Sequence, residues 1–182
     1  MNILGTHDTE RILTVLGVIE DESLSADGAE NAELAGRRMN KKQREAALKL
    51  LKMAAVIQYT VFGIPSIYYG DEAGMEGYHD PFCRMPYPWG REDAELVEFY
   101  RTLGRIRQEE SVLKDGEFKV LRVEDGCIVY SREKDDDSLM IAVNRSDGQF
   151  SVCESGKYTD LLTGRGFGGM LGKNRAVILK KK

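Results

Sequence analysis

Apolar positions in the first 110 residues recur at helical spacing between short continuous apolar runs. In the last third they alternate. Asn2-Ile3-Leu4-Gly5 reads as a short strand. Thr9 to Ile19 predicts a helix with Ile12, Val15, Leu16 and Ile19 on one face. Asp21 to Glu33 is polar, carries a Ser-Ala-Asp-Gly turn signal, and reads as a loop. A long helix follows, with Asn40 as N-cap and Gln43 at the reciprocal position of a capping box. Its apolar face is Ala47, Leu50, Leu51, Ala54, Ile57 and Val61, Gly63 ends it, and Pro65 bars continuation. Ile64, Ile67, Tyr68 and Tyr69 then form a run of buried-strand type, closed by Gly70-Asp71-Glu72.

Residues 73–91 are irregular and hold Pro81, Pro86, Pro88 and Trp89. Loops beyond about 12–15 residues are commonly functional or disordered. The aromatics Tyr78, Phe82, Tyr87 and Trp89 argue against disorder. A second helix is expected from Asp93 to Glu110, with Leu96, Phe99, Tyr100, Leu103 and Ile106 inward. After Leu113 the segments EFKVLRV, CIVYSRE, SLMIAVNRS, QFSVCE and RAVILKK, separated by turns such as Glu124-Asp125-Gly126, predict an antiparallel β domain. The expected domains are therefore 1–113 and 114–182, of class α/β followed by all-β.

Strand, long crossover helix and strand form the parallel unit of an α/β sheet or barrel, in which ligands sit at the carboxyl ends of the strands. That places His7-Asp8 and Gly70-Asp71-Glu72 at one rim, although some sixty residues separate them.

Composition narrows the function classes. The 182 residues suffice for one large or two small domains. The net charge of -4 comes from 26 basic and 30 acidic residues, well mixed, and without a basic stripe a nucleic-acid partner is not expected. No apolar run reaches membrane-span length, and the N-terminus lacks the basic-then-apolar order of a signal peptide. Cys83, Cys127 and Cys153 fit neither a zinc motif nor a disulfide framework and read as reduced thiols of a cytoplasmic protein.

The segments NILGTHDTERIL, GIPSIYYGDEAGMEG and DPFCRMPYPW resemble the α-amylase family of glycoside hydrolases, family 13, closest in flavour to its neopullulanase, cyclomaltodextrinase and maltogenic amylase group. The resemblance implies the last two strand-helix units of a (β/α)8 TIM barrel followed by a C-terminal β-sandwich. It implies a retaining hydrolase of α-1,4 glucosidic bonds in maltodextrins, with α-1,6 bonds as a second target; no cofactor is expected, and no metal, since only two histidines are present. It makes Asp8 the carboxylate that holds sugar hydroxyls as the ring distorts toward the transition state, and His7 a donor to the same sugar. Asp80 and Arg84 correspond to a pair that contacts sugar further toward the non-reducing end. Tyr78 and Trp89 are loop aromatics available for sugar stacking. A retaining enzyme also needs a nucleophile and a general acid about 5–5.5 Å apart. The resemblance puts those on strands four and five, whereas this chain matches from strand seven. The isolated chain is therefore expected to be inactive. Its barrel strands, short of neighbours, are expected to drive homo-oligomer formation through residues 1–75.

Other readings of the same residues remain open at this stage. His7-Asp8 could belong to a metal site, although His79 is the sole other histidine. Asp8 could cap the following helix through the amide of Glu10 or Arg11. Asp71 and Glu72 could pair with Asp8, neighbouring strands lying about 4.8 Å apart. A bond from each to backbone or an arginine is the expected role. Gly164 to Gly169 matches G-x-G-x-x-G but sits between short strands with no helix after it, so a hairpin loop is expected. Asn144-Arg145-Ser146 matches a glycosylation acceptor and carries little weight in a cytoplasmic chain. The rival function is a non-catalytic module that binds glucan or a protein partner. An upstream reading frame carrying the Asp and Glu motifs, or a true start codon at Met1, separates the two.

Overall fold

A computed structural model of the protein describes residues 1–182. The element order is β1 (Asn2–Ile3), α1 (Ile12–Glu20), α2 (Asn31–Gly36), α3 (Lys41–Thr60), β2 (Pro65–Ser66), α4 (Ala94–Glu109), α5 (Val112–Asp115) and then eight strands. These are β3 (Glu117–Glu124), β4 (Cys127–Lys134), β5 (Asp137–Asn144), β6 (Phe150–Ser151), β7 (Tyr158–Asp160), β8 (Arg165–Gly166), β9 (Met170–Leu171) and β10 (Arg175–Lys181). The chain forms two compact units. One holds Ile3–Leu51 and Pro65–Glu98, and the other Lys52–Ile64 and Phe99–Lys182.

In the first unit the capping box of α3 forms as its sequence dictates. The Asn40 amide donates to Gln43 Oε1 at 2.9 Å, and the Gln43 amide to Asn40 Oδ1 at 3.0 Å. Asp93 caps α4 by accepting the Leu96 amide at 3.0 Å. Arg44 of α3 reaches the loop before α4, donating to the Gly74 carbonyl at 2.9 Å and to Glu76 Oε1 at 2.7 Å.

Several expectations shift. Helix α1 begins at Ile12, and its buried face is Leu13, Thr14 and Gly17, while Val15 and Ile19 are exposed. Met39 and Leu24 close on Gly17, so that a Cβ there would require the Met39 side chain to move, and the helix turns Leu13 and Gly17 inward in place of Val15 and Ile19. Thr14 is buried because its hydroxyl accepts the Gly77 amide at 2.9 Å. The polar stretch 21–33 holds a short 3-10 turn, Glu22–Leu24, and runs into α2. The strand expected over Ile64 to Tyr69 is reduced to two residues, because the chain turns back with the Asp71 amide on the Tyr68 carbonyl and Gly70 at φ +87°. In α3, Ile57 is exposed while Met53, Ala55, Val56 and Tyr59 are buried.

The second unit is built on a six-stranded sheet of order β3-β4-β5-β10-β7-β8, with β6 and β9 forming a two-stranded sheet. The strand pairs are antiparallel, as the alternation predicts. Period two sorts the side chains. Cys127, Val129, Ala142, Val177 and Leu179 meet Phe150 and Leu171 of the small sheet in one core cluster. Their neighbours Tyr130, Ile141 and Ile178 are buried on the opposite face. There Tyr130 Oη lies 2.5 Å from Thr60 Oγ1. Arg132, fully buried, donates to the carbonyls of Thr60 at 2.8 Å, Leu113 at 3.3 Å and Gly116 at 2.8 Å. Arg107 donates to the Tyr59 and Gly63 carbonyls. Two guanidinium groups thus satisfy carbonyls that the end of α3 leaves without helical partners. Gly164 to Gly169 contains β8 and the turn into it, with no helix following. Asn144 is fully buried and donates to the Gly148 and Leu171 carbonyls, so it is no glycan acceptor in the folded chain. All three cysteines are free thiols.

Candidate active-site turn

Between β1 and α1 the chain makes a tight turn built by two threonines. The Thr6 amide donates to Thr9 Oγ1 at 2.9 Å, and the Asp8 amide donates to Thr6 Oγ1 at 3.2 Å. The hydroxyls satisfy the backbone and leave the side chains of His7 and Asp8 outside, 65% and 68% exposed. His7 Nε2 lies 3.2 Å from Asp8 Oδ2. Asp8 does not cap α1. Arg11 stands at the N-cap without a side-chain capping bond, and its amide donates to the Gly77 carbonyl at 2.8 Å.

The long loop brings Asp80 and Arg84 to the same turn. Arg84 Nε lies 2.9 Å from Asp80 Oδ1 and donates to the His7 carbonyl at 3.0 Å, while Nη2 donates to Asp8 Oδ1 at 3.2 Å. Beneath them the buried Cys83 thiol donates to the same His7 carbonyl at 3.3 Å. His7, Asp8, Asp80 and Arg84 therefore form one exposed array of donors and acceptors.

The two loop aromatics part company. Tyr78 is 4% exposed, its hydroxyl donates to the Leu24 carbonyl at 2.9 Å, and the Arg37 guanidinium lies 5.6 Å from its ring centre. Burial raises its phenol pKa. It packs the interior and has no ring face for a sugar, contrary to the expectation from sequence. Trp89 is 81% exposed, with the Tyr87 ring centre 4.5 Å from its own, which leaves an apolar face open to solvent. His79 lies 3.2 Å from Asn31 Oδ1.

Asp71 takes the structural role. It is buried against Arg11, whose Nη1 donates to Asp71 Oδ1 at 3.3 Å and to the Tyr69 carbonyl. The guanidinium carbon sits 4.2 Å from the Tyr68 ring centre and 4.6 Å from that of Tyr69. Burial pushes the Asp71 carboxyl up to about 6, against the opposing pull of Arg11. Glu72 accepts the Gly70 amide at 2.8 Å. The structure thus does not pair Asp71 with the exposed Asp8 as a second carboxylate. Arg11 itself escapes sequence reasoning: arginine is rarely buried, and nothing near it in sequence announces Asp71, sixty residues on.

Chemically, the array offers two carboxylates, an imidazole and a guanidinium to adjacent hydroxyl groups. This set suits recognition of a sugar ring.

No family model matches the chain. An amylopullulanase from Thermoanaerobacter thermohydrosulfuricus is 36% identical over 183 residues, covering 91% of this chain and 12% of that protein. A cyclomaltodextrinase from a Bacillus species is 34% identical over 168 residues, covering 90% and 25%. Among solved structures, a maltogenic amylase from S. marinus aligns with a TM-score of 0.72 and 28% identity, over 99% of this chain and 22% of that one. The chain thus spans about an eighth to a quarter of the length of these relatives. Likeness of sequence and of structure runs over nearly all of its residues, and on that ground the chain belongs to the α-amylase family of glycoside hydrolases, family 13, matching the C-terminal part of its relatives.

Proposed function

We propose that these residues are the C-terminal part of a retaining α-glucan hydrolase that cuts α-1,4 glucosidic bonds of maltodextrins, with α-1,6 bonds as a second target. In this reading residues 1–113 are the last two strand-helix units of a (β/α)8 barrel, and 114–182 are a β-sandwich domain. The observation that carries it is the exposed array of His7, Asp8, Asp80 and Arg84, assembled from two loops 76 residues apart. Asp8 accepts hydrogen bonds from sugar hydroxyls as the ring flattens toward an oxocarbenium-like state, and His7 donates to the same ring. Contacts that tighten in the transition state lower the barrier, whereas contacts equal in both states do not. Asp80 and Arg84 hold the next sugar toward the non-reducing end, and Trp89 offers a stacking face. Three free thiols suit a reducing cytoplasm, and no helix is long and apolar enough to cross a membrane.

Asp8 stabilises charge that other groups create, so by itself it starts no reaction. The 182 residues alone are expected to release no reducing sugar from maltodextrin, cyclodextrin or pullulan above an Asp8→Ala control, while the full-length protein does release it. Release by the isolated chain, abolished by Asp8→Ala, would show that the nucleophile and acid lie within these residues and would overturn the division of labour proposed here.

A further inference from the structure

We infer that Arg84 is a positioning residue for Asp8: anchored on Asp80, its guanidinium fixes the Asp8 carboxylate and the His7 carbonyl in one arrangement. The inference rests on the reading of Asp8 as a sugar contact and adds a role that a sugar-binding arginine need not have.

An exposed aspartate on a surface turn ordinarily samples several side-chain rotamers. Asp8 is exposed, yet its Oδ1 accepts from Arg84 Nη2 at 3.2 Å, and its Oδ2 lies 3.2 Å from His7 Nε2. Each carboxylate oxygen accepts more than one hydrogen bond, so the brace leaves acceptor capacity for sugar hydroxyls. Arg84 is itself held, with Nε 2.9 Å from Asp80 Oδ1 and 3.0 Å from the His7 carbonyl. The buried neighbour Cys83 donates to that same carbonyl, which seats the turn on the interior. A planar fork serves three acceptors in fixed directions, and a lysine ammonium on a flexible stem does not. Exposed ion pairs add little to stability. Loss of the fork should therefore free Asp8 without unfolding the chain.

Arg84→Lys tests this in two ways. In the chain described here, three-bond NMR couplings should report one χ1 rotamer for Asp8, and averaged rotamers in Arg84→Lys at unchanged melting temperature. Equal couplings in the two proteins would overturn the inference. In the full-length protein with maltoheptaose, Arg84→Lys should lower kcat ten- to a hundredfold, whatever the loosened sugar contact does to KM. A raised KM at unchanged kcat would make Arg84 a sugar contact only and likewise overturn it. Asp8→Asn separates the two readings. If Asp8→Asn is impaired and Arg84→Lys is not, positioning fails alone. If Asp8→Asn turns over like wild type, the sugar role of Asp8 fails first.

Discussion

At the residue scale the least expected feature is a buried charge beside the candidate site. Arg11 and Asp71 are sealed together, and desolvation outweighs the pull of the guanidinium, so the Asp71 carboxyl holds its proton to about 6 in the folded chain against 3.8 when unfolded. Between these values the folded chain binds more protons than the unfolded one. Stability from this group is therefore greatest at low pH and falls as pH rises through the window, by ~3 kcal/mol. Urea unfolding from pH 3.5 to 7 should show the wild-type stability minus that of Asp71→Asn falling by about that amount. A flat difference would contradict the burial of an ionisable Asp71. Legibility in sequence divides along the same line. The resemblance names His7, Asp8, Asp80 and Arg84 as sugar contacts, but that they meet at one turn is seen only in the structure. The fate of Tyr78 is no more legible, because an aromatic in a proline-rich loop reads alike whether it faces water or, as here, the Leu24 carbonyl.

Elements with their own chemistry were legible. The Asn40/Gln43 box and the Asp93 cap start α3 and α4 where expected, and alternation reveals β3, β4, β5 and β10. Elements that depend on tertiary partners were not. Helix α2 has six residues and no side-chain cap, and β7 to β9 are two or three residues long, too short for a period to show. The apolar run Ile64 to Tyr69 carries strand composition, but a strand exists only where a ladder forms, and here pairing stops after Ser66. The join between helix end and sheet depends on Arg132, which serves carbonyls at the end of α3, in α5 and at Gly116. Arg132→Met removes the donors and leaves buried carbonyls unpaired, a loss expected to cost about 2–4 kcal/mol. Denaturant unfolding at constant m-value checks it. Undiminished stability would mean that shedding a buried charge offsets the lost bonds.

At the scale of the whole molecule, β1 and β2 form a two-stranded sheet, and the nearby apolar side chains Ile3, Ile67 and Tyr69 are substantially exposed. Open edges with apolar flanks recruit other strands. We propose that in the isolated 182 residues a second copy covers them, giving a twofold dimer through residues 1–75. Sedimentation at micromolar concentration should show a dimer that Ile67→Lys dissociates, and a monomer throughout would refute it. The central claim is that the His7-Asp8 turn works on the sugar at the bond being cut. Its most direct test is the turnover of maltodextrin by the full-length protein carrying Asp8→Asn. Loss of one charged transition-state contact is worth ~2–4 kcal/mol, so kcat should fall by about two to three decades. Turnover at the wild-type rate would contradict the role assigned to Asp8.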